Sequence, residues 1–179
     1  MDPKLPERLR AAIRNVPDFP KPGILFRDIT TFLTQPDLLR EAVEAMGEPF
    51  ARRFDVVAGI ESRGFILGAP LAVARGVPFV PLRKPGKLPA AVYRESYALE
   101  YGTDALEVHR DAFAPGARVL IVDDLLATGG TAVASARLVE TAGASVVGFA
   151  FLVELEFLPG RARLMDREVF SLVRYAGEE

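Results

Sequence analysis

Apolar positions along this chain repeat with two different periods, and the switches between them outline alternating strands and helices. Leu5, Leu9, Ala12 and Ile13 share one helical face, which predicts a short amphipathic helix near the N-terminus. That helix must stop in the stretch Asn15 to Gly23, where Pro17, Pro20, Pro22 and the glycine forbid continuation. Leu39, Val43, Met46 and Phe50 then recur at helical spacing, and Thr34 three residues before Asp37 reads as a capping box. Phe54–Ala58 and Val77–Val80 predict strands, with a helix over Phe65–Ala74 between them despite Pro70. Val119–Val122 and Ser145–Val153 add two buried strands. The helix joining them shows Ala132, Ala136 and Val139 on one face and Gly143 as its stop. This alternation predicts an α/β fold: a doubly wound, mostly parallel sheet flanked by helices.

Two regions break the rhythm. Lys84 to His109 is rich in charge, Gly, Pro and Tyr, too polar for a core helix, and reads as a long loop or antiparallel ribbon. Excursions of that length in compact domains often serve as mobile covers. In the tail from Glu154 to Glu179, Phe157, Leu158, Phe170, Leu172 and Val173 are expected to pack on the core.

Composition narrows the function. The chain is 179 residues long and half apolar, which suits one domain with a substantial core. A net charge of −2 with mixed signs argues against nucleic acid or membrane as partners, so any phosphate recognition must be local. There is no cysteine, and His109 is the single histidine, which excludes thiolate and multi-histidine metal sites. With no leader-like N-terminus and no long apolar run, the expected location is cytoplasmic.

Chemistry concentrates in five segments. In the first, the strand Val119–Val122 runs into Asp123 and Asp124, then Ala127-Thr-Gly-Gly-Thr131 and a helix. Ligands of open α/β sheets sit beyond the carboxyl ends of strands, where paired carboxylates suit vicinal sugar hydroxyls or waters on Mg²⁺. Gly129 and Gly130 let successive N–H groups turn inward, Thr128 and Thr131 add hydroxyls, and the helix N-terminus favours an anion. Neither dinucleotide nor P-loop fingerprint occurs. Second, Arg63 sits in a glycine-flanked loop, Glu61-Ser62-Arg63-Gly64, where its planar fork suits phosphate. Third, Arg83, Lys84 and Lys87 form a basic turn after a strand. Fourth, Glu100 lies in the presumptive cover beside Tyr101, within reach of a substrate nitrogen once water is excluded. Fifth, Phe26 between Leu25 and Arg27 offers a face for a flat base and backbone groups to read its edge. Each segment alone has a plainer reading as a capped turn, a surface ion pair, a solvated basic turn, an ordinary loop acid or a packed aromatic.

Together the five resemble the type I phosphoribosyltransferase family, over roughly residues 5 to 175. The Asp-Asp loop is shared by the whole class. The Pro17-to-Ile29 stretch, Ser62-Arg-Gly-Phe65 and Leu99-Glu-Tyr-Gly102 resemble its adenine branch. Thr31-Phe-Leu33 and a short acidic C-terminus depart from that pattern without touching a motif. The resemblance implies a single domain over 1–179, with an N-terminal base-recognition hood (1–34) and a flexible catalytic loop (84–109). It implies transfer of phosphoribosyl from 5-phosphoribosyl pyrophosphate (PRPP) to N9 of adenine, giving AMP and pyrophosphate, with Mg²⁺ as cofactor and no direct protein ligand to it. Asp123 and Asp124 would hold ribose hydroxyls and waters of Mg²⁺, and Ala127 to Thr131 the 5′-phosphate. Ser62, Arg63, Arg83, Lys84 and Lys87 would engage PRPP, the last three across the boundary of the homodimer common in the family. Tyr101 would help close the site. Leu25, Phe26, Arg27 and Leu125 would frame adenine; Glu100 and Arg63 would act in catalysis. Two other readings stay open: a PRPP-sensing regulator without activity, and a transferase for another base.

Overall fold

The computed structural model describes residues 2–98 and 102–177. Its first third is α1 (Leu5–Ala12), β1 (Arg14–Val16), β2 (Phe26–Asp28), α2 (Thr30–Leu33) and α3 (Pro36–Gly47). There follow β3 (Val56–Ile60), α4 (Arg63–Arg75), β4 (Phe79–Leu82), β5 (Val92–Ala98), β6 (Thr103–His109) and β7 (Arg118–Leu126). The chain ends in α5 (Gly130–Thr141), β8 (Ser145–Leu155), a 3₁₀ turn at Arg161–Leu164 and β9 (Val169–Tyr175).

Five strands form the central sheet in the order β4-β3-β7-β8-β9, all parallel. Alternation along each strand builds two cores. Val57, Leu120, Val122 and Leu152 face a layer with α1, α3 and α4, while Val56, Ala58, Val119, Ile121 and Phe151 face α5. Val119–Val122 is buried throughout because β7 is central, so helices cover it on both sides. The doubly wound expectation holds, and its strands begin or end a few residues from the predicted limits.

Other expectations need correction. Thr34 does not cap α3; its hydroxyl donates to the Thr31 carbonyl at 2.8 Å. Gln35 stands at the helix boundary and Pro36 occupies the first turn, where a missing N–H is harmless. Of the two readings of 84–109, the antiparallel ribbon is the one that holds, as β5 and β6, and β6 buries Leu106 and Val108 in the second core. Within the tail, Leu172 and Val173 are buried in β9, but Phe157 is 40% exposed. After α1, where the sequence reading assigned no strand, stands a two-stranded hairpin, β1 with β2, separate from the central sheet. No helix among the described residues is long and apolar enough to cross a membrane.

Candidate active site

The strand β7 runs through both acids to Leu126, longer than its apolar run suggested, because Asp123 and Leu125 still pair with Phe151 and Val153 of β8. Asp124 is only 5% exposed. Its amide N–H donates to Asp123 Oδ1 at 2.9 Å. Burial pushes the Asp123 carboxyl well above the ordinary aspartate range, and the adjacent Asp124 charge adds to this. Burial likewise raises Asp124, with Arg63 pulling in the opposite direction. The two carboxyls crowd each other, and the backbone N–H groups of Asp124 and Leu125 meet only part of the cost of ionising them.

Arg63 relieves part of that deficit. It opens α4, and its Nε lies 2.9 Å from Asp124 Oδ2. The helix can start so near β7 only because position 64 is glycine. A Cβ there would stand 2.7 Å from the Val122 carbonyl oxygen. The same guanidinium lies 5.6 Å from the centre of the Phe26 ring, which Phe19 abuts edge-on at 5.1 Å. Arg63 therefore joins the aromatic hairpin to the acid pair, two segments nearly a hundred residues apart.

Beyond the acids, the chain turns at Gly129 in the left-handed region (φ +81°) and enters α5 at Gly130. A cavity of about 210 Å³ opens here, lined by Arg63, Asp123, Asp124, Leu125, Ala127, Thr128, Gly129, Gly130, Thr131 and Phe151 among others. The start of α5 has no side-chain cap, so its first N–H groups face the cavity's end of the helix unclaimed by a capping side chain. Carboxylates at one end and a helix N-terminus at the other suit a ligand with hydroxyls and an anionic group.

The remaining predicted residues divide. Ser62 is exposed at the boundary of α4 beside Arg63. Leu25 is half-buried next to Phe26. Arg27 points its side chain away from Phe26, buried against the Tyr175 ring at 3.9 Å and donating to Asn15 at 2.6 Å, as alternation along a strand requires. Its backbone pairs in register with Asn15 of β1. The basic turn does not line this cavity. Arg83 is held by Glu61 at 3.1 Å, and the Lys84 ammonium pairs with Asp104 and Tyr97. Lys87 offers its carbonyl to Arg83 at 3.3 Å. Glu100 and Tyr101 lie outside the described residues.

Sequence reading missed what walls the Gly129–Gly130 loop. A Cβ on Gly129 would stand 2.9 Å from the carbonyl oxygen of Gly160, so two backbones meet there directly. The 3₁₀ turn after Gly160 is tied down by Arg161, whose Nε and Nη2 reach the two oxygens of buried Glu154 at 2.7 and 2.6 Å. A second glycine and a Gly-Arg pair followed by a hydrophobic residue were the visible signal, without a local pattern to give them a partner.

Comparison with known proteins agrees with this geometry. The phosphoribosyl transferase domain family matches residues 33–173. An adenine phosphoribosyltransferase of Gloeobacter violaceus is 62% identical over 169 residues, which is 93% of this chain and 99% of the relative. The crystal structure of the adenine phosphoribosyltransferase of Thermoanaerobacter pseudethanolicus superposes with a TM-score of 0.91 at 51% identity, covering 94% of this chain and 99% of that one. That of Saccharomyces cerevisiae, complexed with an imino-altritol bisphosphate and adenine, gives 0.90 at 40% identity, covering 95% and 99%. The chain belongs to the phosphoribosyltransferase family. Within it, these relatives fall in the adenine branch.

Proposed function

We propose that the chain is an adenine phosphoribosyltransferase of purine salvage, a pentosyl-transferring enzyme that makes AMP and pyrophosphate from adenine and PRPP. One observation carries the reading best: Arg63 couples the Phe26 hairpin to the Asp123–Asp124 cavity, so a flat base and a phosphorylated sugar can share one site. Phe26 stacks on the purine, the backbone of Leu25 and Arg27 reads its edge, and Leu125 lies beneath. The desolvated carboxylates of Asp123 and Asp124 accept hydrogen bonds from the ribose hydroxyls, which offset part of the cost of ionising them. Backbone N–H groups from Ala127 to Thr131, with the Thr128 and Thr131 hydroxyls, hold the 5′-phosphate. Residues 1–34 act as the base-reading hood and 84–109 as the cover, within one domain over the whole chain.

In the reaction, adenine N9 bonds to C1′ as the bond from C1′ to the pyrophosphate oxygen breaks, and the N9 proton passes to Glu100 or to water that it positions. Ser62 and Arg63 neutralise the departing pyrophosphate, and Tyr101 closes over it. Among the described residues, no group of three or more His, Asp or Glu could hold a metal ion. The carboxylates of Asp123 and Asp124 would hold waters of a Mg²⁺ bound through substrate oxygens, and that ion would lessen the charge on the leaving group. Arg83, Lys84 and Lys87 serve the site of a second copy in a homodimer. The apolar outer face of α4, with Ile66 at 40% and Val73 at 83% exposure, supports such an assembly. The enzyme acts in the cytoplasm on soluble substrates.

The test is a panel assay with PRPP, Mg²⁺ and adenine, hypoxanthine or guanine in turn. AMP and pyrophosphate form far faster with adenine. Equal rates on all three bases would overturn the base assignment, and no pyrophosphate with any base would overturn the transferase reading itself.

A further inference from the structure

Arg163 has no place in the roles above. It lies in the 3₁₀ turn Arg161–Leu164, and its side chain is exposed. Among the described residues, its guanidinium makes no ion pair or hydrogen bond, whereas Arg161 and Arg167 on either side pair with Glu154 and Glu140. Its position is nevertheless well defined. The backbone contact between Gly160 and Gly129 fixes the turn to the loop, and Arg161 fixes it to Glu154, Ser171 and the Val169 carbonyl. Arg163 Nη1 lies 4.0 Å from where a Cβ on Gly130 would be, at the first residue of the twelve-residue helix α5. Gly130 borders two cavities at once: the one holding the acid pair and a neighbouring one that Arg163 lines.

We propose that Arg163 is an additional ligand of the 5′-phosphate, closing on it from the C-terminal segment while backbone N–H groups hold it from the loop. The inference rests on the phosphoribosyltransferase reading of the cavity. An anion seated on the α5 N-terminus lies next to a cation that has no carboxylate of its own. Backbone dipoles carry only partial charge, so a phosphate dianion held by them alone leaves much of its charge uncompensated. A guanidinium presents its donors in a planar fork that matches phosphate oxygens. The loop sequence by itself contains no cation between Asp123 and Ala136, so the charge must come from elsewhere in the fold.

The experiment compares wild type with Arg163→Ala and Arg163→Lys, measuring competition by ribose 5-phosphate and by pyrophosphate against PRPP, and AMP affinity by calorimetry. Arg163→Ala should weaken ribose 5-phosphate and AMP by about tenfold, the size expected of one charge-assisted hydrogen bond near solvent. Pyrophosphate inhibition and the melting temperature should not move, and Arg163→Lys should restore part of the loss. Equal affinities for ribose 5-phosphate and AMP in wild type and Arg163→Ala would overturn the assignment. So would an equal loss for pyrophosphate, which lacks the 5′-phosphate and would report general charge. If wild type itself binds neither PRPP nor AMP, the reading of the cavity fails, and that outcome is separate from the failure of Arg163.

Discussion

Neighbouring strands at the carboxyl edge of the sheet carry buried acids with opposite fates. On β8, Glu154 is 2% exposed and pairs in register with Leu126 of β7. Burial acts to raise its pKa, but hydrogen bonds from Arg161 and Ser171 outweigh that and hold it below the ordinary glutamate range. On β7, Asp124 is buried and Asp123 half-buried; Arg63 and the backbone N–H groups of Asp124 and Leu125 oppose the cost, yet both acids stay raised. One acid is satisfied by the protein and contributes to its structure. The other two line the cavity with their ionisation still disfavoured. Carboxyls whose ionisation the protein leaves disfavoured at a strand end mark a candidate place for a ligand.

Four experiments can break or sharpen this contrast. The largest effect belongs to Asp124→Asn, which should lower kcat/KM for PRPP by about a hundredfold through lost charged hydrogen bonds to the sugar, without lowering the melting temperature. Unchanged kinetics would remove the pair from the site. Glu154→Gln should do the reverse: destabilise the fold by about 2 kcal/mol, reduced from a fully buried pair because Arg161 is half-exposed, with KM for adenine little changed. Chemical denaturation measures this, and wild-type stability would show that Glu154 is dispensable. Gly129→Ala comes next, because a side chain at φ +81° would also press on the Gly160 carbonyl; a loss of about 1–2 kcal/mol is expected. A loss confined to ligand affinity would mean the contact yields readily.

The smallest effect is one of pH. Asp123 has a raised folded pKa, so ionising it costs stability as pH climbs from the unfolded aspartate value of about 3.9 towards the raised one. Asp123→Asn should therefore gain on wild type as pH rises through that window. Glu154 has a lowered folded pKa, so its contribution is present above the unfolded glutamate value of about 4.3 and is lost as pH falls through the folded one. The penalty of Glu154→Gln should shrink in acid. Melting curves across pH 3 to 7 would show the two variants diverging from wild type with opposite slopes; parallel slopes would erase the distinction between the acids.

What the sequence revealed and concealed follows from the range of each interaction. β7, the glycine loop and α5 were legible because apolar run, paired acids and small residues are contiguous between Val119 and Val139. The hairpin of β1 and β2 was hidden, since three-residue polar strands have no period to detect. β6 was legible only as one of two readings, loop or ribbon, because its buried Leu106 and Val108 flank Glu107 inside a charged stretch. The cations at 83 and 84 read as free because Glu61 and Asp104, which neutralise them, lie some twenty residues away in the chain. Arg161 paired with Glu154, and Gly160 set against Gly129, depend wholly on tertiary contact.

The meeting of Gly129 and Gly160 also constrains how the gene can drift. A methyl at either position collides with main chain, which cannot be trimmed by a second mutation as a side chain can. Neither glycine can be exchanged first and compensated by the other, so the two should remain fixed together through any lineage that keeps the loop. Saturation mutagenesis under selection for growth on adenine would find both positions depleted of every substitute, with no suppressors among their neighbours.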